Sequence, residues 1–119
     1  MMIKMKSMVT NPKVMKSTSN TDPDINQVER VHIFVTGRVQ GVGFRYFTLD
    51  IANRYKITGW VRNTHNQEVE ITAEGYRSDL DLFINLMRRG PSSAFVKDLR
   101  IEWLNPTKEF DRFSIGPSY

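Results

Sequence analysis

The stretch Gly37-Arg38-Val39-Gln40-Gly41-Val42-Gly43 separates two segments of different apolar periodicity. Before this glycine loop, aliphatic residues occupy every second position of residues 31–35, which predicts a strand with one buried face. After it, apolar residues recur at the three- and four-residue spacing of a helix, at Phe44, Phe47, Ile51, Ala52 and Tyr55. The sequence therefore predicts a first strand from about Arg30 and a first helix over residues 44–56.

Further strands are predicted on both sides of a second helix. Residues 58–64 are rich in β-forming types, and residues 69–74 alternate aliphatic with polar side chains after the turn tripeptide His65-Asn66-Gln67. Another period-two series runs from Phe95 through Leu99 and Ile101 to Trp103, and residues 110–115 form a last short candidate strand. The first two segments are expected to pair as a hairpin.

The second helix lies between the hairpin and the last strands. Ser78 stands three residues before Asp81 and ahead of a helical apolar pattern, so we expect a capping-box-like start there. Arg88-Arg89-Gly90-Pro91 has the basic residues, glycine and proline that end helices. The order βαββαβ predicts an α+β, ferredoxin-like fold, in which two helices pack on one face of an antiparallel sheet.

Composition limits the class of protein. With 119 residues, 39% of them hydrophobic, the chain is long enough for one folded domain. Residues 1–27 lack aromatic residues and apolar periodicity, which predicts a flexible tail before a domain at residues 28–119. No apolar run exceeds three residues, whereas a membrane span needs about 20. We therefore expect no membrane partner. Since cysteine is absent, we also expect a cytoplasmic protein.

The net charge of +4 raises the question of nucleic-acid binding. Residues 28–119 contain 13 lysines and arginines against 11 aspartates and glutamates, so the predicted domain is only mildly basic. Acidic and basic residues are also interleaved along the chain. A broad surface for a phosphate backbone is therefore not expected, and nucleic acid is not a predicted partner.

The glycine loop is suited to binding an anion. Three glycines within seven residues let successive backbone N–H groups point inward, and the loop leads into a helix N-terminus with positive potential. Arg45 falls in the first helical turn, where a cation opposes the helix dipole unless an anion is bound nearby. The planar guanidinium can hold two phosphate oxygens. A phosphate-sized anion is the expected ligand.

Other nucleotide and catalytic motifs do not fit. A P-loop would need glycine and then lysine where Val42 and Gly43 stand, and a dinucleotide fingerprint would need a small residue at Tyr46. The only imidazoles are His32 and His65, and no metal-spaced cluster occurs. We therefore expect no metal and no cofactor, and interpret His65 as an exposed turn residue.

The glycine loop with Phe44 and Arg45, followed by Gly59-Trp60-Val61-Arg62-Asn63, closely resembles the two signature segments of the acylphosphatases. The resemblance extends over residues 28–119 and includes Gly90-Pro91. It implies a ferredoxin-like fold and metal-independent hydrolysis of acyl phosphates, the mixed anhydrides of a carboxylic acid and phosphate.

The resemblance also implies residue roles. Arg45 would be the phosphate-binding arginine, and Asn63 would position the attacking water. The phosphate cradle would be the whole glycine loop, Gly37, Arg38, Val39, Gln40, Gly41, Val42 and Gly43. One departure is Asn66-Gln67 at the hairpin tip, where many members have Asp-Gly. Glutamine is unfavourable at positive φ, which leaves the turn geometry open.

Elementary chemistry agrees with these roles. Phosphoryl transfer through a loose transition state needs mainly positioning and charge stabilisation, and an acyl phosphate already has a good carboxylate leaving group. The expected partners are a small acyl phosphate, and phosphate or sulfate as a competing anion, with the protein acting as a monomer. The alternative is a binding module that uses the same loop to hold a phosphorylated ligand without turnover.

Overall fold

The computed structural model describes residues 27–119, and β1 (Val28–Arg38) is a long strand within its sheet. Val31, Ile33 and Val35 are fully buried, because the alternating aliphatic residues all face the helices. This confirms the predicted first strand, although it begins two residues earlier than expected. The predicted tail, residues 1–27, lies outside the described residues except for Gln27.

Six further elements follow β1. They are α1 (Phe44–Arg54), β2 (Thr58–Asn63), β3 (Val69–Tyr76), α2 (Arg77–Arg89), β4 (Phe95–Leu104) and β5 (Phe113–Ile115). The strands lie in the order β4-β1-β3-β2-β5. The pairs β1–β4, β1–β3 and β2–β3 are antiparallel, whereas β5 adds to β2 in parallel. The ferredoxin-like α+β fold is confirmed, with one parallel strand at the edge of the sheet.

The topology places the C-terminal ends of β1 and β2 at the same end of the sheet, on either side of β3. Both strands pair antiparallel with β3, so they run in the same direction and their C-terminal ends lie at the same end of the sheet. Val35 and Asn63 both have Val69 as their partner on β3. We call the end of the sheet where α1 begins and α2 ends the loop end, and the opposite end, where α1 ends and α2 begins, the far end.

The core lies between the helices and the inner face of the sheet. Phe44 and Ile51 of α1, and Phe83 and Met87 of α2, are buried against the central strands. Burial of apolar area on this scale is the main favourable contribution to folding. No helix within residues 27–119 is long and apolar enough to cross a membrane.

The helix ends differ in part from those predicted. Helix α1 stops at Arg54 rather than residue 56, because Lys56 has φ 56° and the chain turns to bury Ile57. Helix α2 begins at Arg77 with Tyr76 as N-cap, so Ser78 lies inside the first turn and not at the N-cap position predicted for it. The end of β3 sets this helix start. Gly90 ends the helix as predicted.

Strand β4 breaks its predicted alternation at one point. The register changes from Thr36 opposite Asp98 to Gly37 opposite Val96, which leaves Lys97 as an extra residue in a β-bulge. Val96 therefore packs against the core, and Phe95 is 62% exposed rather than buried. The close approach requires glycine, since a Cβ on Gly37 would lie 2.1 Å from the Phe95 carbonyl oxygen. Strand β5 is also shorter than predicted, beginning at Phe113.

Candidate functional site

The glycine loop combines positive-φ glycines with backbone N–H groups that have no acceptor among the described residues. Gly41 and Gly43 have φ 72° and 80°, and a Cβ at either position would meet nothing within 4 Å. These glycines are therefore favoured by the left-handed backbone and not by packing. Within residues 27–119, the N–H groups of residues 40–43 donate to no acceptor. Four successive donors are thus available to an anion.

The side chain of Gln40 joins the glycine loop to the β2–β3 turn. Its Nε2 donates to the carbonyl oxygens of Thr64, at 2.7 Å, and Glu68, at 2.8 Å. Thr64 directly follows Asn63 in the chain. One amide therefore fixes the distance between the predicted anion loop and the strand end that carries the predicted water-positioning residue.

Two further contacts hold the loop. The side chain of Val39 is 1% exposed and belongs to the hydrophobic core. The hydroxyl of Ser93, in the connection between α2 and β4, donates to the carbonyl oxygen of Val42 at 2.9 Å. The loop is thus held by the core through Val39 and by the α2–β4 connection through Ser93. These contacts favour a loop conformation that exists before any ligand binds.

The N-terminus of α1 has no negative group of its own. Gly43 is the N-cap and makes no side-chain cap bond, and the first turn contains no acidic residue. Arg45 lies in that turn, is only partly exposed, and has neither a hydrogen bond nor an ion pair with any residue in the described range 27–119. The N-terminus of α1 and the Arg45 guanidinium therefore form a region of positive charge that no carboxylate of the described residues neutralises.

Asn63 ends β2 at the loop end. Its backbone oxygen accepts a hydrogen bond from the N–H of Tyr119 at 2.8 Å. Its side-chain Oδ1 is buried and has no partner among the described residues. A buried acceptor that lacks a partner costs about 1–3 kcal/mol, so such atoms commonly bind water or ligand. This acceptor can orient one hydrogen of a water molecule.

Arg62, the residue before Asn63, has protein partners for its guanidinium, in contrast to Arg45. Arg62 lies between the rings of Trp60 and Tyr119, with its Cζ 4.7 and 4.3 Å from their centroids, and its Nε donates to Glu70 at 2.8 Å. Burial raises the pKa of Glu70, but hydrogen bonds from Arg62 and His32 outweigh it and hold that pKa below its ordinary value. Arg62 therefore belongs to a structural cluster.

The structure places all of the predicted site residues at one end of the sheet. The glycine loop, Arg45 and Asn63 all lie at the loop end. His65 lies exposed in the turn with its Nδ1 3.2 Å from the carbonyl oxygen of Tyr119, as an exposed turn residue would. No group of three or more His, Asp or Glu side chains in residues 27–119 is arranged to hold a metal ion.

Sequence reasoning missed the residues that support the site. Gln40 was predicted only as a backbone member of the cradle, yet its side chain makes the contacts to the turn. Ser93 and Tyr119 were not singled out at all. Their contacts join segments that are far apart in the chain, and no local pattern predicts such pairs. The signal for Gln40 was present, because an amide within a glycine loop needs a partner.

The chain is similar in sequence to proteins of a known family. Residues 31–115 match the family model described as Acylphosphatase. An acylphosphatase of Trichormus variabilis is 46% identical over 87 residues, which cover 73% of this chain and 85% of that protein. An acylphosphatase of Bacillus licheniformis is 47% identical over 84 residues, covering 71% and 93% of the two chains.

Solved structures show the same fold. The crystal structure of acylphosphatase from Bacillus subtilis superposes with a TM-score of 0.72 at 38% identity, covering 76% of this chain and 99% of that one. Full-length HypF, in a phosphate- and nucleotide-bound form, matches with a TM-score of 0.71 at 32% identity, but only 12% of its chain is covered. The same domain is therefore similar to a small part of a larger protein.

Proposed function

This chain belongs to the acylphosphatase family of enzymes, and we propose that its glycine loop and Arg45 bind the substrate phosphate while Asn63 positions the attacking water. The observation that carries the proposal is the set of unpartnered groups at the loop end. The N–H groups of residues 40–43, the Arg45 guanidinium and Asn63 Oδ1 all lack partners within residues 27–119. Donors and an acceptor of this kind are what phosphate and water require.

Binding uses charge and geometry that exist before substrate arrives. The N–H groups and the N-terminus of α1 surround the phosphate oxygens, and Arg45 supplies the positive charge for two of them. These groups hold the phosphorus with one face toward Asn63. Because the loop is already fixed by Gln40 and Ser93, little reorganisation is needed when charge develops in the transition state.

The reaction itself is an in-line displacement at phosphorus. The oxygen of a water molecule, hydrogen-bonded to Asn63 Oδ1, forms a bond to phosphorus while the bond from phosphorus to the acyl oxygen breaks. The carboxylate leaves with the bonding electron pair, and the water proton passes to a phosphate oxygen or to solvent. Since a carboxylate leaves readily, the site needs no strong base.

The test is turnover of benzoyl phosphate by purified protein in the presence of a chelator. We expect wild-type turnover, and a loss of about 100- to 1000-fold in kcat on Arg45→Ala, because removing one preorganised donor costs about that much. Arg45→Lys keeps the charge but loses the planar fork, so it should recover little of the rate. Asn63→Ala should lower kcat more than it raises KM.

The matched control is Arg112→Gln, which removes an arginine at the far end that has no ion pair among residues 27–119. This variant should retain wild-type turnover. Equal rates in wild type, Arg45→Ala and Asn63→Ala would refute the proposed roles, and phosphate binding without any turnover would favour the binding module. Loss of wild-type activity with chelator would refute metal independence.

Three expectations from the sequence stay predictions. They are the cytoplasmic location, the monomeric state, and the competition of phosphate or sulfate for the loop. The last is a direct extension of the proposal, because inorganic phosphate has the same tetrahedral oxygens as the substrate group. Inhibition by phosphate should be competitive, and it should weaken in Arg45→Ala.

A further inference from the structure

A cavity of about 360 Å³ lies at the far end of the sheet. Its lining comes from the residues that follow α1, from the first turn of α2 and from the connection between β4 and β5. Small-molecule sites in proteins have volumes of about 300–1000 Å³, so the cavity is large enough for a ligand. It contains neither the glycine loop nor Arg45 nor Asn63. The cavity is therefore a second candidate site, separate from the loop end.

One wall of the cavity is held in place by Glu74. This buried carboxylate lines the cavity and accepts hydrogen bonds from the backbone N–H groups of Thr107, at 2.8 Å, and Lys108, at 2.9 Å. Arg30 donates to the same carboxylate at 3.2 Å, and its Cζ lies 5.3 Å from the ring centroid of Phe110. Because these contacts fix the connection between β4 and β5, the cavity is formed before any ligand binds.

Two lysines line the cavity, and neither ammonium group has a protein partner. Lys56 and Lys108 are exposed, and their side chains make no hydrogen bond or ion pair with any residue of the described part of the chain, 27–119. Glu74 does not neutralise them, since it is paired with Arg30. A phosphate monoester carries a charge of about −1.5 to −2 at neutral pH, which two ammonium groups match.

Both lysines have a backbone conformation that is unfavourable for their residue type. Lys56 has φ 56° and Lys108 has φ 58°, in the left-handed region where a side chain costs about 1–2 kcal/mol and glycine does not. The end of α1 attracts a cation, which accounts for Lys56, but Lys108 is on no helix. Residues held in such conformations cluster at ligand sites. The strain therefore supports a role for both ammonium groups.

The rest of the lining has aromatic rings and a free acceptor. Tyr55, Tyr76 and Phe110 line the cavity, and Tyr76 is half-exposed. Asp79 is half-buried in the first turn of α2, where the helix dipole favours its charge, and its carboxylate accepts no hydrogen bond from residues 27–119. Rings of this kind bind planar aromatic groups by stacking, and the carboxylate requires a hydrogen-bond donor.

We propose that this cavity binds a mononucleotide. The phosphate lies between the ammonium groups of Lys56 and Lys108, the base packs against the tyrosine rings, and Asp79 accepts a hydrogen bond from an amino or hydroxyl group of the ligand. Other small anions match fewer of these features. Inorganic phosphate has no ring, and an aromatic carboxylate such as benzoate has a single charge and no donor for Asp79.

The experiment is equilibrium dialysis of the purified full chain with AMP, GMP, CMP and UMP, with adenosine and inorganic phosphate as the two halves of the ligand. We expect at least one mononucleotide to bind in a 1:1 ratio, at least tenfold more tightly than either half, because base and phosphate contact different walls. Its phosphate also fits the proposed anion loop, so the measurement is repeated with Arg45→Ala. This variant should bind the mononucleotide as wild type does.

Variants locate the binding. The double change Lys56→Gln and Lys108→Gln should weaken mononucleotide binding about tenfold or more, since two charged hydrogen bonds are lost, and should leave adenosine binding unchanged. Each single change should give an intermediate loss. The matched control removes two exposed cations of the loop end, through Arg88→Gln and Arg89→Gln, and should bind the mononucleotide as wild type does. Wild-type turnover of benzoyl phosphate by the lysine variants would show that they are folded.

Three results would overturn the proposal. The first is that no mononucleotide binds more tightly than inorganic phosphate, which would mean that the rings contribute nothing. The second is equal affinity in the lysine variants and in wild type, and the third is loss of binding in Arg45→Ala, which would place the nucleotide at the loop end. None of these results depends on hydrolysis of an acyl phosphate, so the proposed function and this inference can fail independently.

Discussion

The outer face of the sheet and the loop end use charged residues in opposite ways. On the outer face, which points away from the helices, arginines are paired with carboxylates, as in Arg30–Glu74 at 3.2 Å and Arg62–Glu70 at 2.8 Å. At the loop end Arg45 has no protein partner within residues 27–119, and the helix beside it has no acidic cap. The same residue type thus stabilises one region and leaves the other ready for an anion.

We expect stability and activity to depend on different charged residues in these two regions. Pairs on the outer face are partly buried, so removing one member leaves the other uncompensated. A cation in the first turn of a helix is instead unfavourable in the ligand-free protein, by a few tenths of a kcal/mol or more. Substitutions of charged residues on the outer face should therefore change the free energy of unfolding, and substitutions at the loop end should change the rate of turnover.

Glu74 provides the largest expected stability effect. It is 3% exposed and accepts hydrogen bonds from Arg30 and from the backbone N–H groups of Thr107 and Lys108. We expect Glu74→Gln to lower the free energy of unfolding by about 2–3 kcal/mol, since an amide has only one acceptor oxygen for these donors. Chemical denaturation with urea measures this.

Arg45→Ala is the matched variant at the loop end. Its free energy of unfolding should equal that of wild type or exceed it by a few tenths of a kcal/mol, although it loses most activity. A clear loss of stability in Arg45→Ala would show that this arginine is structural. A Glu74→Gln protein as stable as wild type would show that this carboxylate of the outer face does not contribute to stability, which would contradict the predicted difference between the outer face and the loop end.

The contribution of Glu70 on the outer face to stability is expected to depend on pH. Because Glu70 has a lowered pKa in the folded protein, its contribution is present above the ordinary pKa of a glutamate and is lost as the pH falls through the folded-state pKa. The free energy of unfolding should therefore fall on acidification in that range. Glu70→Gln should flatten this fall, measured by denaturation at a series of pH values.

Arg62 and His32 are the groups that face Glu70, with Nε2 of His32 2.8 Å from its second carboxylate oxygen. An unchanged acid slope in Glu70→Gln would mean that other carboxylates dominate acid unfolding. Turnover by Glu70→Gln at neutral pH is the accompanying readout, because the outer face is expected to influence stability and not the chemical step.

The smallest predicted effect concerns the turn between β2 and β3. Gln67 has φ 74°, so the departure noted at Asn66-Gln67 places a glutamine in the left-handed region. Gln67→Gly should raise the free energy of unfolding by about 0.5–1 kcal/mol, since relief of backbone strain exceeds the entropy cost of glycine. A thermal melt measures the change, and a lower melting temperature would contradict it.

Local patterns in the sequence were enough to predict the element order and the fold. Aliphatic alternation in β1 and helical spacing in α1 report directly on burial, and Gly90 reports on a helix end. The glycine loop and Arg45 also stood out in the sequence as a candidate site, because their residue types violate the ordinary preferences of a helix start, and their roles stay predictions. Such local signals depend only on neighbours in the chain.

Features that depend on distant segments could not be read in the same way. The β4 bulge arises because Gly37 lets another strand approach, and it exposes Phe95, although the period-two series placed Phe95 on the same face as Leu99. The start of α2 is set by the end of β3 and not by Ser78. Ser93 and Tyr119 reach the site only through tertiary contacts. A single sequence contains no periodicity that reports these pairings.

Gln40 has a mechanical consequence. Its single amide spans from the glycine loop to two carbonyl oxygens in the turn that follows Asn63, so we expect a thermal displacement of the loop to be passed to the strand that ends in the proposed water-positioning residue. Phosphorus and nucleophile would then move as one rigid body, and their separation would fluctuate less than either position does. On the proposed mechanism, the distance between water and phosphorus would then depend little on thermal motions of the protein surface.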